Sequence, residues 1–257
     1  SKAPANNFGP PSFFVNDTHV YLLDPANQRV AVINLTDQTF SSIPLTSDDV
    51  EDFCGLDNNH FYVLLGRQKQ MLLHNRAGQV VQTFRVNPTL TPIGLHCHQQ
   101  YKGILAAFDG RFYYRDETRP LKQVPVGPYT FSILRDSAWQ WTVQLHHRGT
   151  NVRQNLSATS EQGSVEQVNL IGVDKYGNLY LTIEERVEAG LSSEDVVRSL
   201  RKYTFNGEWV AEVELPYSLY AYTLKDLFVT PSGNVFQILP LKDSFEVIQW
   251  RERISGE

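Results

Sequence analysis

A unit of two short strands joined by a polar turn recurs along the chain, and it constrains the fold more than any other feature. In each clear copy an apolar strand leads into a turn rich in Asp, Asn or Gly, and a strand of alternating aromatic and aliphatic residues follows. The clear copies occupy residues 12–22, 53–63, 170–181 and 227–237. Turn formers between β-branched and aromatic runs are the signature of a β-hairpin. We therefore expect an all-β chain.

Two weaker copies fill the gap between the second and third clear copies. Their paired strands are predicted at residues 93–97 with 104–108 and at residues 131–134 with 139–143. The six equivalent positions are Tyr21, Tyr62, Leu105, Trp141, Tyr180 and Phe236. They are separated by 41, 43, 36, 39 and 56 residues. A period of about 40 residues is typical of four-stranded propeller blades, so the expected fold is a six-bladed β-propeller with blades of about four antiparallel strands.

The repeat predicts a single domain over residues 1–257, because closed all-β folds often reach about 200–250 residues as one unit. The approximate blades are residues 8–46, 47–87, 88–127, 128–163, 164–216 and 217–257. The sixth blade has no fourth strand in sequence, and only residues 1–8 are left to supply one. An insertion at residues 184–199 explains the longest spacing, and Ser192 with Asp195 predicts the start of a short helix there. This insertion is either part of a binding face or a tolerated surface excursion.

Composition excludes some classes of function. The net charge is −5 and Lys and Arg form no long run, whereas nucleic-acid binding needs a basic patch. No apolar stretch of about 18 residues is present, so no membrane span is predicted. The acidic balance, the few cysteines and a start at Ser1 without Met favour an exported protein, located in the periplasm, at the cell surface or outside the cell.

The two cysteines, Cys54 and Cys97, lie at nearly corresponding places in neighbouring repeats. A disulfide between adjacent blades is one interpretation. Two buried thiols are the other, and we favour it from the sequence because free cysteine packs well in apolar cores.

One stretch of the first repeat resembles a known family. Residues 21–32 run from an aromatic and aliphatic strand to Asp24, then Asn27, then Arg29 and a β-branched residue. This order is similar to the consensus of NHL repeats, which build β-propellers. Asp24 and Asn27 suit a tight turn because their side chains bond nearby backbone amides, and Arg29 can anchor on a neighbouring carboxylate. The resemblance implies structural roles for these residues and no catalysis, and residues 66–70 of the second repeat lack both the Asp and the Asn. A related propeller family, or a propeller of seven incomplete blades, stays open.

Four residues are candidate metal ligands. His96 and His98 share one face of a predicted strand, and a His-x-His pair can supply two ligands of a zinc or copper site. Glu51 and Asp52 end an acidic run, residues 48–52, whose oxygen atoms suit Ca²⁺. No cofactor is predicted other than a Ca²⁺ or Zn²⁺ ion that these residues could hold. The alternative is that these histidines are ordinary polar strand residues and that the acidic run is a solvated surface.

The chain contains no Gly-x-Ser-x-Gly elbow, phosphate loop or His-Glu-x-x-His motif. The first functional hypothesis is therefore a non-catalytic binding or scaffolding module that contacts a protein or glycan partner. The alternative is a metal-dependent enzyme, lactonase-like or lyase-like, with its ligands at the mouth of the central channel. A third hypothesis is an extracellular assembly subunit. We favour the non-catalytic module, and the sequence does not specify the oligomeric state.

Overall fold

The computed structural model is all-β in the part of the chain that it describes, apart from one 3₁₀ turn at Pro25–Asn27. The described residues are 12–16, 18–56, 59–96, 104–107, 111–114, 117, 119–122, 124–126, 129–147, 153–159, 163–187, 196–217, 225–242 and 244–251. No helix among them is long and apolar enough to cross a membrane. The chain forms two compact units. Unit 1 comprises residues 1–121, 218–228 and 238–247, and unit 2 comprises residues 122–217, 229–237 and 248–257.

Unit 1 contains three antiparallel sheets in which hydrogen-bonded neighbours follow one another along the chain. The strands of the first are β1 (Phe13–Val15), β2 (His19–Asp24), β3 (Arg29–Asn34) and β4 (Phe40–Pro44). Those of the second are β5 (Val50–Gly55), β6 (His60–Leu65), β7 (Gln70–Asn75) and β8 (Val80–Arg85). Those of the third are β9 (Pro92–His96), β10 (Ile104–Ala107) and β11 (Phe112–Tyr114).

Unit 2 contains two further sheets with the same sequential order. The strands of the fourth are β12 (Val124–Val126), β13 (Tyr129–Arg135), β14 (Gln140–His147) and β15 (Arg153–Thr159). Those of the fifth are β16 (Gly163–Val173), β17 (Leu179–Val187), β18 (Val196–Tyr203) and β19 (Trp209–Glu214). The described residues thus reproduce the predicted meander of short antiparallel strands.

The sixth sheet has three strands, β20 (Leu227–Val229), β21 (Val235–Pro240) and β22 (Phe245–Trp250). β22 is the outer strand of this sheet among the described residues, and residues 252–257, which follow it, lie outside them. Residues 1–8, which were expected to supply a fourth strand, lie outside the described part of the chain.

Glycines at tight turns connect several of these strands. Gly177 and Gly233 both have φ of 87°, a conformation that glycine adopts without steric cost. Each donates its N–H to the carbonyl three residues earlier, Gly177 to Asp174 at 3.1 Å and Gly233 to Thr230 at 2.9 Å. The strands on either side are therefore held in hairpin register.

The turn after β2 has the structure that the NHL-like stretch predicts. The Asp24 carboxylate accepts hydrogen bonds from the Asn27 backbone N–H at 3.3 Å and from the Asn27 side chain at 2.8 Å. Arg29 Nε donates to Asp24 Oδ2 at 2.8 Å. Gln28, between them, has φ of 50°. The structural roles assigned to Asp24, Asn27 and Arg29 are confirmed.

The equivalent turn of the second sheet uses a different carboxylate. Asp49 accepts the N–H of Arg67 at 3.1 Å and of Gln68 at 2.9 Å, and Arg67 Nε at 2.8 Å. Lys69, the counterpart of Gln28, has φ of 51°. A buried Asp from the preceding acidic run therefore replaces the Asp that the second repeat lacks.

Aromatic packing joins the first two sheets of unit 1. Phe14 stacks on Tyr21 with ring centroids 4.4 Å apart and tilts against Phe53 at 5.2 Å. Gly55 lies against the Phe14 ring, since a Cβ at Gly55 would come within 2.6 Å of it. Burial of these large rings supplies much of the apolar stabilisation between the two sheets.

Three expectations are corrected. Residues 131–134, predicted as the first strand of the fourth repeat, belong to the second strand of their sheet, because β12 precedes them. The insertion at residues 184–199 is in large part a longer hairpin, since Glu184 pairs with Arg198 and Arg186 with Val196. Residues 188–195, including the predicted helix start, lie outside the described residues.

Cys54 is disulfide-bonded, so its interpretation as a free thiol is wrong. Cys97 lies outside the described residues.

Candidate functional site

Asp52, one of the candidate metal ligands, is completely buried in β5. Its Oδ1 accepts the N–H of Phe53 at 2.7 Å, and its Oδ2 accepts the N–H of Leu95 at 2.6 Å. Lys225 Nζ donates to the same Oδ2 at 2.5 Å and also to the Leu95 carbonyl. The carboxylate is thus neutralised by an ammonium group and connects β5 with β9 and with the segment before β20.

Glu51 and His96 occupy different surroundings. Glu51 is the extra residue of a β-bulge between Val50 and Asp52, and it is exposed and packed against Gly66. His96 is exposed to solvent, and its ring lies edge-on to the ring of Phe112 with the centroids 5.0 Å apart. Desolvation by surrounding protein atoms and the positive charge of Lys225 lower its pKa to about 4, so the imidazole is neutral at physiological pH.

The structure therefore brings Asp52 and His96 together, places Glu51 against Gly66, and leaves His98 outside the described residues. Among the described residues no three His, Cys, Asp or Glu side chains converge as metal ligands would. A cation at Asp52 would have to displace the Lys225 ammonium. The four-residue metal site stays a prediction. Lys225 itself was missed because it lies 173 residues from Asp52 and belongs to no motif.

Residues of unit 2 line a groove on its surface. It has a volume of about 670 Å³ and is open to solvent. Residues of β17, β18 and β19 form one wall. The turn before β21 and the end of β22 form the other wall. We refer to this feature as the unit 2 groove.

One wall of the groove is a mixed apolar and cationic sheet face. Leu200 pairs with Val213, and Lys202 pairs with Ala211. Directly opposed residues on antiparallel strands share a face, as do residues two apart on one strand. These four side chains therefore project together into the groove. Val210, at the same edge, is 44% exposed.

The base of the groove is fixed by a buried carboxylate. Asp174 Oδ1 accepts the backbone N–H groups of Tyr176 and Asn178, each at 2.9 Å. Its Oδ2 accepts the Asn178 side-chain amide at 2.8 Å and the Tyr180 hydroxyl at 3.1 Å. The Tyr180 hydroxyl also lies 3.3 Å from the Gly233 carbonyl. A Cβ at Gly233 would come within 2.9 Å of that hydroxyl, so glycine is required there.

The second wall ends with an aromatic and a cationic side chain. Trp250 is partly exposed, and its indole N–H donates to Gln237 Oε1 at 3.2 Å. Gln237 is fully buried and donates to the Pro216 carbonyl at 3.2 Å, which fixes the orientation of the indole. Arg251 is exposed and donates to Gln249 Oε1, a neutral acceptor, at 3.0 Å.

Two acids and two cations line the groove. Its two acids are engaged within the protein, Asp174 in the four hydrogen bonds above and Glu212 in an ion pair with Arg201 Nε at 2.7 Å. Lys202 Nζ lies 5.7 Å from the centroid of the Tyr180 ring. Lys202 and Arg251 are the two cations of the lining. Sequence analysis did not identify this site, because its residues come from five strands and two turns and form no motif.

No family model matches the chain, and no curated protein is significantly similar to it in sequence. Solved structures are similar in fold. A member of the DUF4221 family from Bacteroides vulgatus superposes with a TM-score of 0.53 and 13% identity, covering 93% of this chain and 92% of that one. A catalytically inactive virginiamycin B lyase from Staphylococcus aureus with quinupristin has a TM-score of 0.50 and 11% identity, covering 95% and 94%. Hydrazine synthase of Kuenenia stuttgartiensis has a TM-score of 0.51 and 9% identity, covering 92% and 75%.

The DUF4221 protein and the lyase are β-propellers. Together with six antiparallel sheets of three or four strands among the described residues, this similarity shows that the chain has a β-propeller fold. Identities of this size carry the fold and not the function. Membership of the NHL family stays a prediction.

Proposed function

We propose that this protein is a non-catalytic β-propeller that holds a protein partner in the unit 2 groove. The observation that carries the proposal is the composition of that groove. Aromatic side chains, an arginine and exposed aliphatic side chains line one concave surface. Trp, Tyr and Arg are the residues that most often dominate the energy of protein interfaces. A glycan partner, the other prediction from the sequence, gains no support from this charged and aliphatic wall.

The chemistry of the groove favours binding over catalysis. A carboxylate that acts as a general acid or base must be available to the substrate. Asp174 and Glu212 are instead committed to internal hydrogen bonds and an ion pair. A metal-dependent enzyme would need the ligand set around Asp52, where Lys225 supplies the positive charge. That alternative predicts a stoichiometric metal in untagged protein and a lower Tm after chelation.

Export from the cytoplasm belongs to the same proposal. The disulfide at Cys54 supports it, because structural disulfides persist mainly in oxidising compartments.

A random peptide library, displayed on phage and selected on the wild-type protein, tests the function. We expect enriched peptides to lose binding to Val210→Lys, which places a long charged side chain at the groove edge. Val81→Lys is the matched control, because Val81 is an equally simple exposed valine on β8, 55% exposed. Peptides that bind both variants as well as the wild type, or no enrichment at all, would contradict the proposal.

A further inference from the structure

The ammonium group of Lys225 binds in unit 1 between two strands that are distant from it in sequence. Its Nζ donates to Asp52 Oδ2 on β5 at 2.5 Å and to the Leu95 carbonyl on β9. We infer that these two acceptors form a binding site for a primary ammonium group, and that Lys225 occupies it as a latch, a reversible contact that fastens the segment before β20 to β5 and β9. The inference goes beyond the proposed function, because the three residues belong to unit 1 and the groove belongs to unit 2.

The two acceptors are positioned by contacts that do not involve the lysine. Asp52 Oδ1 accepts the N–H of Phe53 at 2.7 Å, and Oδ2 accepts the N–H of Leu95 at 2.6 Å. Leu95 is buried and pairs with Leu105 in the third sheet. Both acceptors therefore keep their places when Lys225 leaves them, so the site is preorganised for a cation.

The number of acceptors favours an ammonium group over a metal ion. One carboxylate oxygen and one carbonyl oxygen match two of the three N–H donors of an ammonium group. Ca²⁺ takes about six to eight oxygen ligands, and structural Zn²⁺ takes about four ligands. Asp52 Oδ2 and the Leu95 carbonyl therefore suit the ammonium group better than either ion.

The burial of the two partners indicates which one moves. The side chain of Asp52 is 0% exposed, whereas that of Lys225 is 24% exposed. Lysine carries its charge on a flexible stem, so its ammonium group can reach water by rotation of its own side chain. Its departure leaves a buried carboxylate without its cation, which is strongly unfavourable. The closed contact is therefore the stable state of the latch.

The rest of the segment determines how far an opening extends. Asp226, the next residue, accepts the N–H of Ile238 on β21 at 2.8 Å. Phe228 lies edge-on to Phe13 of β1, with ring centroids 6.2 Å apart. These contacts attach β20 to its own sheet and to the first sheet, and Lys225 adds the contact with the second and third sheets. Release of the latch should therefore loosen β20 against β5 and β9 and leave the pairing within each sheet intact.

The experiment removes the ammonium group from the full-length protein and then supplies it again in solution. Lys225→Ala deletes a group of atoms that corresponds to propylammonium. Hydrogen exchange followed by mass spectrometry should show the backbone amides of β9 and β20 exchanging at least about tenfold faster, since a hydrogen bond to a charged group contributes this much. The Tm should fall as well. Propylammonium chloride should reverse both changes, whereas the same concentration of NaCl should not.

Three further variants separate the latch from a general loss of stability. Lys69→Ala is the matched control, because Lys69 Nζ donates to the Leu90 carbonyl at 2.7 Å, and it should neither loosen β20 nor respond to propylammonium. Asp52→Asn keeps the size of the side chain but removes its charge, so it should open the same junction without rescue. Lys225→Gln fills most of the lysine volume and serves where Lys225→Ala does not fold, with the same local increase in exchange and no rescue.

Three outcomes would overturn the inference. Faster exchange spread evenly over all sheets of Lys225→Ala would show a general contribution to stability instead of a latch. Restoration by Ca²⁺ or Zn²⁺ but not by propylammonium would show that the acceptors form a metal site. Unchanged exchange in both Lys225→Ala and Lys225→Gln would remove the latch and the ammonium site together.

Discussion

His74 on β7 is a buried histidine, and only one of its two ring nitrogens has a hydrogen-bond partner. Its side chain is 1% exposed and stacks on Phe61 with ring centroids 5.3 Å apart. Nδ1 lies 3.1 Å from the Gly78 carbonyl and donates to it, whereas Nε2 is buried with no partner. Burial lowers the pKa of His74 below 6.5, and the bond to Gly78 offsets only part of that effect.

This environment predicts a pH-dependent stability. Because the folded-state pKa is lowered, the unfolded chain binds a proton first as the pH falls below 6.5. Stability is therefore complete above that pH and decreases below it. His74→Phe should make the free energy of unfolding, measured by urea denaturation at several pH values, fall less steeply on the acid side. His19→Gln, at a partly exposed histidine, is the control, and an unchanged slope in His74→Phe would show that another group is responsible.

Asp49 shows how far sequence reasoning reached for single residues. The acidic run was recognised, and its carboxylates were interpreted as Ca²⁺ ligands or as a solvated surface. Asp49 is instead 6% exposed. Burial alone would raise its pKa, but hydrogen bonds from Arg67 and Gln68 together lower it. A sequence reveals which carboxylates are present, but the partner of each depends on residues that the fold brings near, here 18 positions away.

At the scale of the elements, the buried side chain of Arg201 on β18 joins neighbouring strands of the fifth sheet. Its Nη2 donates to both oxygens of Glu185 on β17 at 3.1 Å, and its Nε donates to Glu212 on β19 at 2.7 Å. Its Nη1 donates to the Thr159 carbonyl of β15 at 2.9 Å. One guanidinium thus connects three strands of its own sheet with the sheet before it.

Arg201→Met should be strongly destabilising, because it leaves Glu185 and Glu212 largely buried without their cation. Removal of one partner of a buried ion pair typically costs about 3–5 kcal/mol. Arg29→Met is the matched control. Its pair with Asp24 is more exposed, at 36% and 23% of the two side chains, so we expect a loss of about 0–1 kcal/mol. Urea unfolding of both variants compares them, and similar losses would contradict the structural account.

Sequence reasoning located strands well where a strong turn separates them. The hairpins around Gly177 and Gly233 were predicted because their turn residues are unambiguous. In the fourth sheet the predicted first strand is in fact the second. The true first strand, Val124–Val126, was missed because it has three residues and a central proline. Such a short strand has too little alternation to be recognised and is defined by its pairing with β13.

For the molecule as a whole, the disulfide at Cys54 predicts which thiols react and how reduction changes the stability. Denatured protein that has not been reduced should show no reactive thiol, and reduction should release the two that the sequence contains. Reduction should also lower the stability by about 2–4 kcal/mol, measured as a lower Tm. Two reactive thiols before reduction would contradict the bond.

The fold was predictable at this scale, and the site was not. A period near 40 residues predicts a propeller because each repeat needs its neighbour to bury its apolar face. The unit 2 groove has no such signal. Leu200, Ala211 and Trp250 are ordinary strand residues in sequence, and they form a site only because the fold brings their strands together.

The left-handed conformations of Gln28 and Lys69 have an evolutionary consequence. The two residues lie 41 positions apart at equivalent turns, although neither is glycine and their side chains differ. A non-glycine residue tolerates this backbone conformation, but a β-branched one is strongly disfavoured. Duplicated segments can therefore diverge until their residue identities no longer align while each copy still rejects valine, isoleucine and proline at the same point. A substitution scan would reveal the shared backbone conformation as a pattern of intolerance that recurs with the repeat.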